Sequence, residues 1–491
     1  MRRCASFLGP VESMRSFLQA LSLWSRVFIS CLLVGTAYGQ PRGATFERLK
    51  SFIDHIKVVD IHEHIGLKTS SLLGSRYQNI GRMFSAPNVN FYSVLASDYL
   101  PGDLVSAGAP PIRVDQVLAG DLDALWKTYG RYLDVTRNTS YYSQLVASFR
   151  LLYGFQEPYF TRENIAQLST AISNNYKHKD RWVAAAFKKA DFDIMLVDQS
   201  WDQFKTETDF PRFVPLMRID QYLMAISDRD EYEKPGADPR NNPFYQAKKE
   251  GFAMKTLDDY LAFADHWFRI FSKTAVGAKC RMAYLRTLYF EDVPYERARE
   301  LFARPSSSLN PAEKKSLEDF MFHWSVRKLQ AYDLPLQIHT GYTAGNRAQL
   351  DNGQPMKLLN VLRKYPNEKF CLLHGSYPWY HEVGALAKSF PNVYIDLVWL
   401  PQLSRHAAVD ALNEWLDSVP DNKIFWGGDE KNIESAAGSL ELGRSVVAEV
   451  LAGRVDAGLM TEEVAKDVAV KIFRDNAIEA YKLRTKTHLV E

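Results

Sequence analysis

Cysteine is nearly missing from this chain: there are four in 491 residues. Cys4 and Cys31 lie near the amino terminus, and Cys280 and Cys371 sit inside apolar runs, so no disulfide framework is indicated and the last two read as buried thiols. An excess of charge is also absent, with 60 Lys and Arg against 58 Asp and Glu, and no basic cluster stands out. Nucleic-acid affinity depends on neutralising phosphates, so a chain of this balance is a poor candidate for it. Internal repeats and low-complexity tracts are lacking, and no segment reaches the roughly 20 consecutive apolar residues of a membrane span. What remains is an ordinary globular composition, 46% hydrophobic, long enough for one large α/β barrel with insertions or for two to three smaller domains.

The first 39 residues differ from the rest. Arg2, Arg3, Arg15 and Arg26 precede the apolar stretch Val27 to Ala37, and Ala37-Tyr38-Gly39 offers small residues for cleavage. This pattern predicts a secretory signal, residues 1–39, and export to the periplasm or the exterior, leaving 40–491 as the mature chain. Removal leaves 56 basic against 57 acidic residues, a net charge near −1. The 26 residues ahead of the apolar stretch are long for such a lead, which suggests an extended basic region or initiation at Met14. Asn138-Thr139-Ser140 is a glycosylation sequon, meaningful only in a eukaryotic host.

Eight short apolar runs bounded by turn residues follow: 56–65, 191–198, 213–220, 275–285, 334–342, 369–377, 392–400 and 423–429. Amphipathic stretches of helical spacing lie between most of them, among them Leu257 to Phe271, Ala312 to Tyr332, Gly353 to Tyr365, His381 to Phe390 and His406 to Ser418, and another, Thr461 to Tyr481, follows the last. Strand and helix alternating eight times predict a parallel (β/α)8 TIM barrel, whose active sites lie at the carboxyl ends of the strands. Between the first two runs, residues 66–190 hold far more chain than one crossover helix needs, and are read as a mostly helical insertion. Its early part, Phe84 to Val114, is rich in Pro, Gly and Ser and is expected to be loop over the barrel mouth. A second insertion, Asp228 to Glu250, is a further candidate for a lid.

The first run, Val58-Val59-Asp60-Ile61-His62-Glu63-His64, ends in two histidines two residues apart, which share one face of a strand and can converge on one ion. Three later runs also end in metal-competent residues, at His339, His374 and Asp429. With that pattern on the page, the chain resembles the amidohydrolase superfamily, in the amidohydrolase-related branch that includes uronate isomerases and metal-dependent decarboxylases. The resemblance runs over roughly residues 50–485. It rests on His62-x-His64 ending the first strand, His339 the fifth, His374 the sixth and Asp429 the eighth, and on the stretches His374 to Trp379 and Asn392 to Leu397.

Three imidazoles and a carboxylate form a borderline ligand set suited to Zn2+, with Mn2+, Fe2+ or Ni2+ as alternatives. The expected ligands are His62, His64, His339 and Asp429, with one metal favoured. Asp429 is the expected base toward water, and His374 is placed as an oxyanion stabiliser ahead of the alternative of a ligand to a second metal. The resemblance also points to Lys279 on the fourth strand as a candidate bridging ligand, carbamylated in two-metal members; strand parity leaves its direction open, and an inward Lys279 would bring Arg281 inward too. Arg286 and Arg281 are candidates for a clamp on a substrate carboxylate. Tyr342, with Thr340, Gly341 and Asn346, is expected to line the mouth, and Trp379 and Trp399 could wall a pocket. His55, His178, His266, His323 and His406 are taken as non-catalytic.

The implied activity is metal-dependent hydrolysis of a C–N or ester bond in a small carboxylate-bearing substrate. Isomerisation of a sugar acid or decarboxylation of an aromatic acid at the same metal site is the alternative, since this fold hosts several chemistries; a non-catalytic binding protein on a retained barrel is the third reading. Barrels of this type commonly self-associate, so a homo-oligomer is one possible state.

Overall fold

The computed structural model describes residues 43–66, 75–229 and 239–489. The expected signal, residues 1–39, lies outside these, as does part of the second insertion, including Pro235 and Gly236. Eight parallel strands are joined in sequence order: β1 (Val58–Glu63), β2 (Phe192–Asp198), β3 (Phe213–Arg218), β4 (Gly277–Cys280), β5 (Leu336–His339), β6 (Phe370–Leu373), β7 (Val393–Asp396) and β8 (Ile424–Phe425). All eight fall within the apolar runs read from the sequence. They are nearly continuous in hydrophobicity because both faces are covered, the inner one by the barrel core and the outer one by helices. Beyond β8 the backbone closes the barrel through Asp429 N–H to His62 O, 2.8 Å, and His64 N–H to Glu430 O, 2.7 Å. The fold is the expected TIM barrel.

Several elements are shorter than their apolar runs. The run 423–429 yields two strand residues, and past them Gly427 and Gly428 pack closely on Asp60 and Glu63 of β1 before the chain bends at Asp429. The stretch 353–365 becomes a 3-10 turn, Pro355–Leu358, followed by the helix Leu359–Lys364, since Pro355 has no N–H to extend a preceding helix. The segment 461–481 forms Glu462–Val470 and Asn476–Ala480 with a π-helical turn between them.

The insertion is helical, with eight helices among the described residues from Ser75–Met83 to Lys179–Lys189. Its early part corrects the loop expectation for 84–114: Phe91–Ser97 and Leu100–Ser106 are helices. The polar and Pro residues taken as loop signals begin and cap these helices. Asn90 accepts from Tyr92 N–H and Ser93 N–H, and Pro101 sits in a first turn, where its missing N–H costs nothing. Nor is the insertion a loose cap. One buried cluster runs from its aromatic core (Phe91, Tyr92, Phe149, Phe160) to inward residues of the barrel strands (Ile61, Leu196, Leu216, Leu373). The long helix Ile433–Asp456 packs so closely on Ser140–Tyr153 that a Cβ at Gly438 would lie 2.3 Å from Gln144 O.

Candidate active site

Each expected ligand emerges where a strand ends, and each imidazole has one nitrogen tied down so that the other faces the centre. The Gln337 amide donates to Ile61 O and to Tyr481 Oη, both at 2.8 Å, which orients its Oε1 toward His62 Nδ1, also 2.8 Å away. His62 therefore carries its proton on Nδ1 and turns the Nε2 lone pair inward. In the same way His64 Nδ1–H donates to Asp198 O at 3.1 Å, which turns Nε2 toward Asp429. His339 Nε2–H donates to Tyr342 O at 2.9 Å, leaving Nδ1. Asp429 Oδ1 lies 3.1 Å from His64 Nε2 and 3.6 Å from His62 Nε2. His374 Nε2 meets His339 Nδ1 at 2.7 Å, while its Nδ1 is buried without a hydrogen-bond partner, 3.9 Å from Asp429 Oδ2.

Electrostatics favour the ligating forms. Burial, reinforced by neighbouring Lys279, holds His62 well below the usual imidazole range and His339 down to about 3. Burial, with His339 and Lys279 adding to it, does the same to His374. Burial alone would push the Asp429 carboxyl up, but its contacts with His64 and His62 bring it well below the ordinary carboxylate value. Neutral imidazole lone pairs and a carboxylate oxygen facing each other at about 3 Å repel unless a cation lies among them, and atoms bonded to one ion at about 2.0–2.1 Å sit about 3.0–3.4 Å apart. The donor set fits a divalent metal.

Lys279 points inward, Nζ 3.3 Å from His62 Nε2, and burial pushes its ammonium down to about 8. This resolves the parity question for Lys279. Tyr342 contributes its carbonyl to His339 and its ring to an aromatic wall, 5.8 Å from Trp399, whose ring stands edge-on to His374 at 5.5 Å. Arg281 flanks the mouth beside Tyr284, the ring that packs on His339. Arg286, the other clamp candidate, has its guanidinium held by Glu318 and Asp319, both at 2.7 Å, so the structure gives it ion-pair partners. Asp319 sits on a helix too far along the chain for sequence spacing to reveal that pairing. Cys280 and Cys371 are buried free thiols.

Four site residues escaped the sequence reading. Asp198 ends β2 within the reach of His62 and His64, their ligand atoms lying within 4.8 Å of one another. Its carboxylate is ion-paired with Arg218 of β3 at 3.0 Å, so Asp429 is the better-placed anionic ligand. Asp396 ends β7 and accepts from His374 N–H at 2.8 Å; burial pushes its carboxyl up to about 7. Strand-end position, the signal that found His339 and His374, also marks Asp198, Arg218 and Asp396. The fourth is Tyr99, from the insertion, which no local pattern marks; its hydroxyl donates to Asp429 O at 2.8 Å and to Oδ2 at 3.1 Å.

Comparison with known proteins agrees with this geometry. Residues 298–483, which carry His339, His374 and Asp429, match the model of the amidohydrolase family. Protein fluG of Emericella nidulans is 33% identical over 204 residues, 39% of this chain and 24% of that protein. The match thus spans about a quarter of the length of that curated relative. Two solved structures share the fold over nearly the whole chain. Uronate isomerase from Thermotoga maritima has a TM-score of 0.70 at 15% identity, covering 91% of this chain and all of that one. Glucuronate isomerase from Caulobacter crescentus has a TM-score of 0.69 at 16% identity, covering 91% and 96%. The chain therefore carries an amidohydrolase family match over residues 298–483, set in a barrel whose fold these solved structures share.

Proposed function

We propose that this protein is a metal-dependent hydrolase that cleaves a C–N or ester bond in a small acid, holding one divalent ion, Zn2+ in the first instance, through His62, His64, His339 and Asp429. The observation that carries the reading is the set of three imidazoles, each with one nitrogen anchored, of which His62 and His64 aim the other at Asp429 and His339 aims it at His374. The ion supplies Lewis-acid polarisation and a water acidic enough to attack near neutral pH. Asp429 Oδ2 accepts the proton of the attacking water and returns it to the leaving group. His374, whose Nδ1 is buried without a hydrogen-bond partner beside Asp429, is the residue placed to steady the substrate's carbonyl oxygen. The walls formed by Trp399 and Tyr342 limit water around the substrate. The cationic Lys279 and Arg281 favour an acidic substrate.

A second reading, isomerisation of a sugar acid, draws support from the fold shared with two uronate isomerases across nearly the whole chain. Export of residues 40–491 belongs to the same proposal and rests on the basic and apolar composition of residues 1–39. Among the described residues no helix is long and apolar enough to cross a membrane.

Metal per chain on residues 40–491, against a His62→Ala/His64→Ala double variant, tests the site. One ion lost in the variant supports the mononuclear reading; two would make Lys279 a bridging ligand, and none in either form would end the metal-dependent proposal. Turnover of N-acyl amino acids, lactones, uronates and hydroxybenzoates in 18O-labelled water then separates the reactions: hydrolysis incorporates label, isomerisation does not, and decarboxylation releases CO2.

A further inference from the structure

We infer that the insertion is a working part of the metal site, and that Tyr99 is a positioning residue that sets which oxygen of Asp429 faces the histidines. This rests on the metal-site reading above. The segment that follows β8 is bound to the insertion almost residue by residue. Tyr99 donates to Asp429, Gln144 to Glu430 Oε1 at 2.6 Å, and Asn432 to Ser97 Oγ at 2.9 Å. Ser435 donates to Asp98 Oδ2 at 2.8 Å. Glu434 accepts from Tyr153, Tyr176 and Trp182, which come from three different insertion helices, at 2.8–2.9 Å. A substrate lid that swings on and off would have to break all of these at once. The contacts describe a fixed wall.

Within that wall Tyr99 touches the ligand itself. A carboxylate joined to the backbone through Cβ can rotate and exchange its two oxygens unless something holds one of them. Oδ2 is held by the Tyr99 hydroxyl at 3.1 Å, and the same hydroxyl bonds the Asp429 carbonyl at 2.8 Å, which leaves Oδ1 toward His62 and His64. The Tyr99 ring cannot move aside to release it. It stacks on Tyr141 at 5.6 Å and leans on Trp399 at 4.6 Å, and the Lys431 ammonium lies 3.5 Å from its centroid. Tyr99 joins the helices Phe91–Ser97 and Leu100–Ser106, so the insertion's packing fixes the orientation of a ligand on the eighth strand. The barrel supplies the ligand, and the insertion supplies its orientation.

The test is Zn2+ affinity by chelator competition, and the visible spectrum of the Co2+-substituted protein, for wild type, Tyr99→Phe and Ser97→Ala. Ser97→Ala is the control because it loosens the same segment through Asn432 without touching Asp429. All readings are taken below the melting point of each metal-free variant, so loss of fold is not counted as loss of binding. Tyr99→Phe should weaken Zn2+ on the order of tenfold and alter the Co2+ d–d bands, while Ser97→Ala stays within about twofold of wild type. The inference is overturned if Tyr99→Phe matches wild type in both readings, or if Ser97→Ala weakens binding as much. Failure of wild type to bind Zn2+ or Co2+ would instead remove the metal-site reading, so the two failures are distinct.

Discussion

Gln337 is the residue through which the orientation of a proposed ligand can be tested most directly. Its side chain is fully buried on β5 and makes three hydrogen bonds of 2.8 Å, two as donor to Ile61 O and Tyr481 Oη and one as acceptor from His62 Nδ1–H. Gln337→Met keeps the length of the side chain and removes all three. Each buried polar group left without a partner costs about 1–3 kcal/mol, and the more apolar methionine offsets part of the sum, so the metal-free protein should lose about 3 kcal/mol. The effect on metal is separate. Without its acceptor His62 can place the proton on Nε2 or turn its ring, and loss of such an outer partner typically weakens metal binding 10–100-fold, or about 1.4–2.7 kcal/mol. Denaturant unfolding of the metal-free chain measures the first quantity and Zn2+ competition with a chelator the second. A variant that is destabilised yet binds Zn2+ as tightly as wild type would refute the claim that His62 ligates through a Gln337-set Nε2.

Other consequences follow from charged groups away from the centre. Glu434→Ala strands the Tyr153, Tyr176 and Trp182 donors and should cost about 3 kcal/mol or more, with limited proteolysis cutting first within the insertion. Arg286→Ala leaves Asp319 buried beside Lys315 as its remaining cation and should lower stability by about 3 kcal/mol, with KM for any substrate unchanged; a large rise in KM would restore Arg286 as a substrate contact. Glu368 is buried, which pushes its carboxyl from 4.5 to about 9. The folded chain therefore holds that proton more tightly than the unfolded chain, and the associated stability is complete below about 4.5 and lost as pH rises to about 9. Glu368→Gln should accordingly raise the melting temperature more at pH 9 than at pH 5, and equal shifts at both would contradict the assigned cause.

The barrel and the histidines and Asp429 at its mouth were legible in the sequence because both depend on local pattern. A parallel strand covered on both faces is a short apolar run, and a candidate site residue at its carboxyl end is the polar residue that stops the run, as at His339 and His374. The same logic marked Asp198, Arg218 and Asp396, but those types also end strands for structural reasons and carried no further signal. Direction failed where it depended on a distant partner. The partners of Arg286, Glu318 and Asp319, are separated from it by 32 and 33 positions and face it only once their helix has docked. Phe84 to Val114 looked like loop because Asn90 and Pro101 are turn residues by type and helix-starting residues by position. Tyr99 had no local mark at all: its partner lies 330 residues away.

The backbone shapes how the candidate site residues converge. His374, Ser376, Trp399 and Asp429, with φ between 51° and 70°, adopt the left-handed conformation, and each follows the end of β6, β7 or β8. For residues with a side chain this costs roughly 1–2 kcal/mol apiece, and it reverses the chain at the point where an extended strand would have carried the side chain past the mouth. The cost is met by bonds that specify the turns: His374 N–H to Asp396 Oδ1 at 2.8 Å, Ser376 Oγ with Thr340 Oγ1 at 2.6 Å, and Asp429 N–H to His62 O at 2.8 Å. Asp60 adds a buried carboxylate bridge between β1 and the β8 turn, accepting from His62 N–H and Gly428 N–H at 3.0–3.2 Å, even though burial pushes its own carboxyl up to about 7. Two carboxylates thus serve the site without facing its centre, Asp60 by closing the barrel under Asp429 and Asp396 by fixing the turn that bears His374. Strained backbone, buried acids and the insertion's grip on residues 429–435 act on the same few atoms, so the geometry of the site is settled by the folded chain before any ligand arrives.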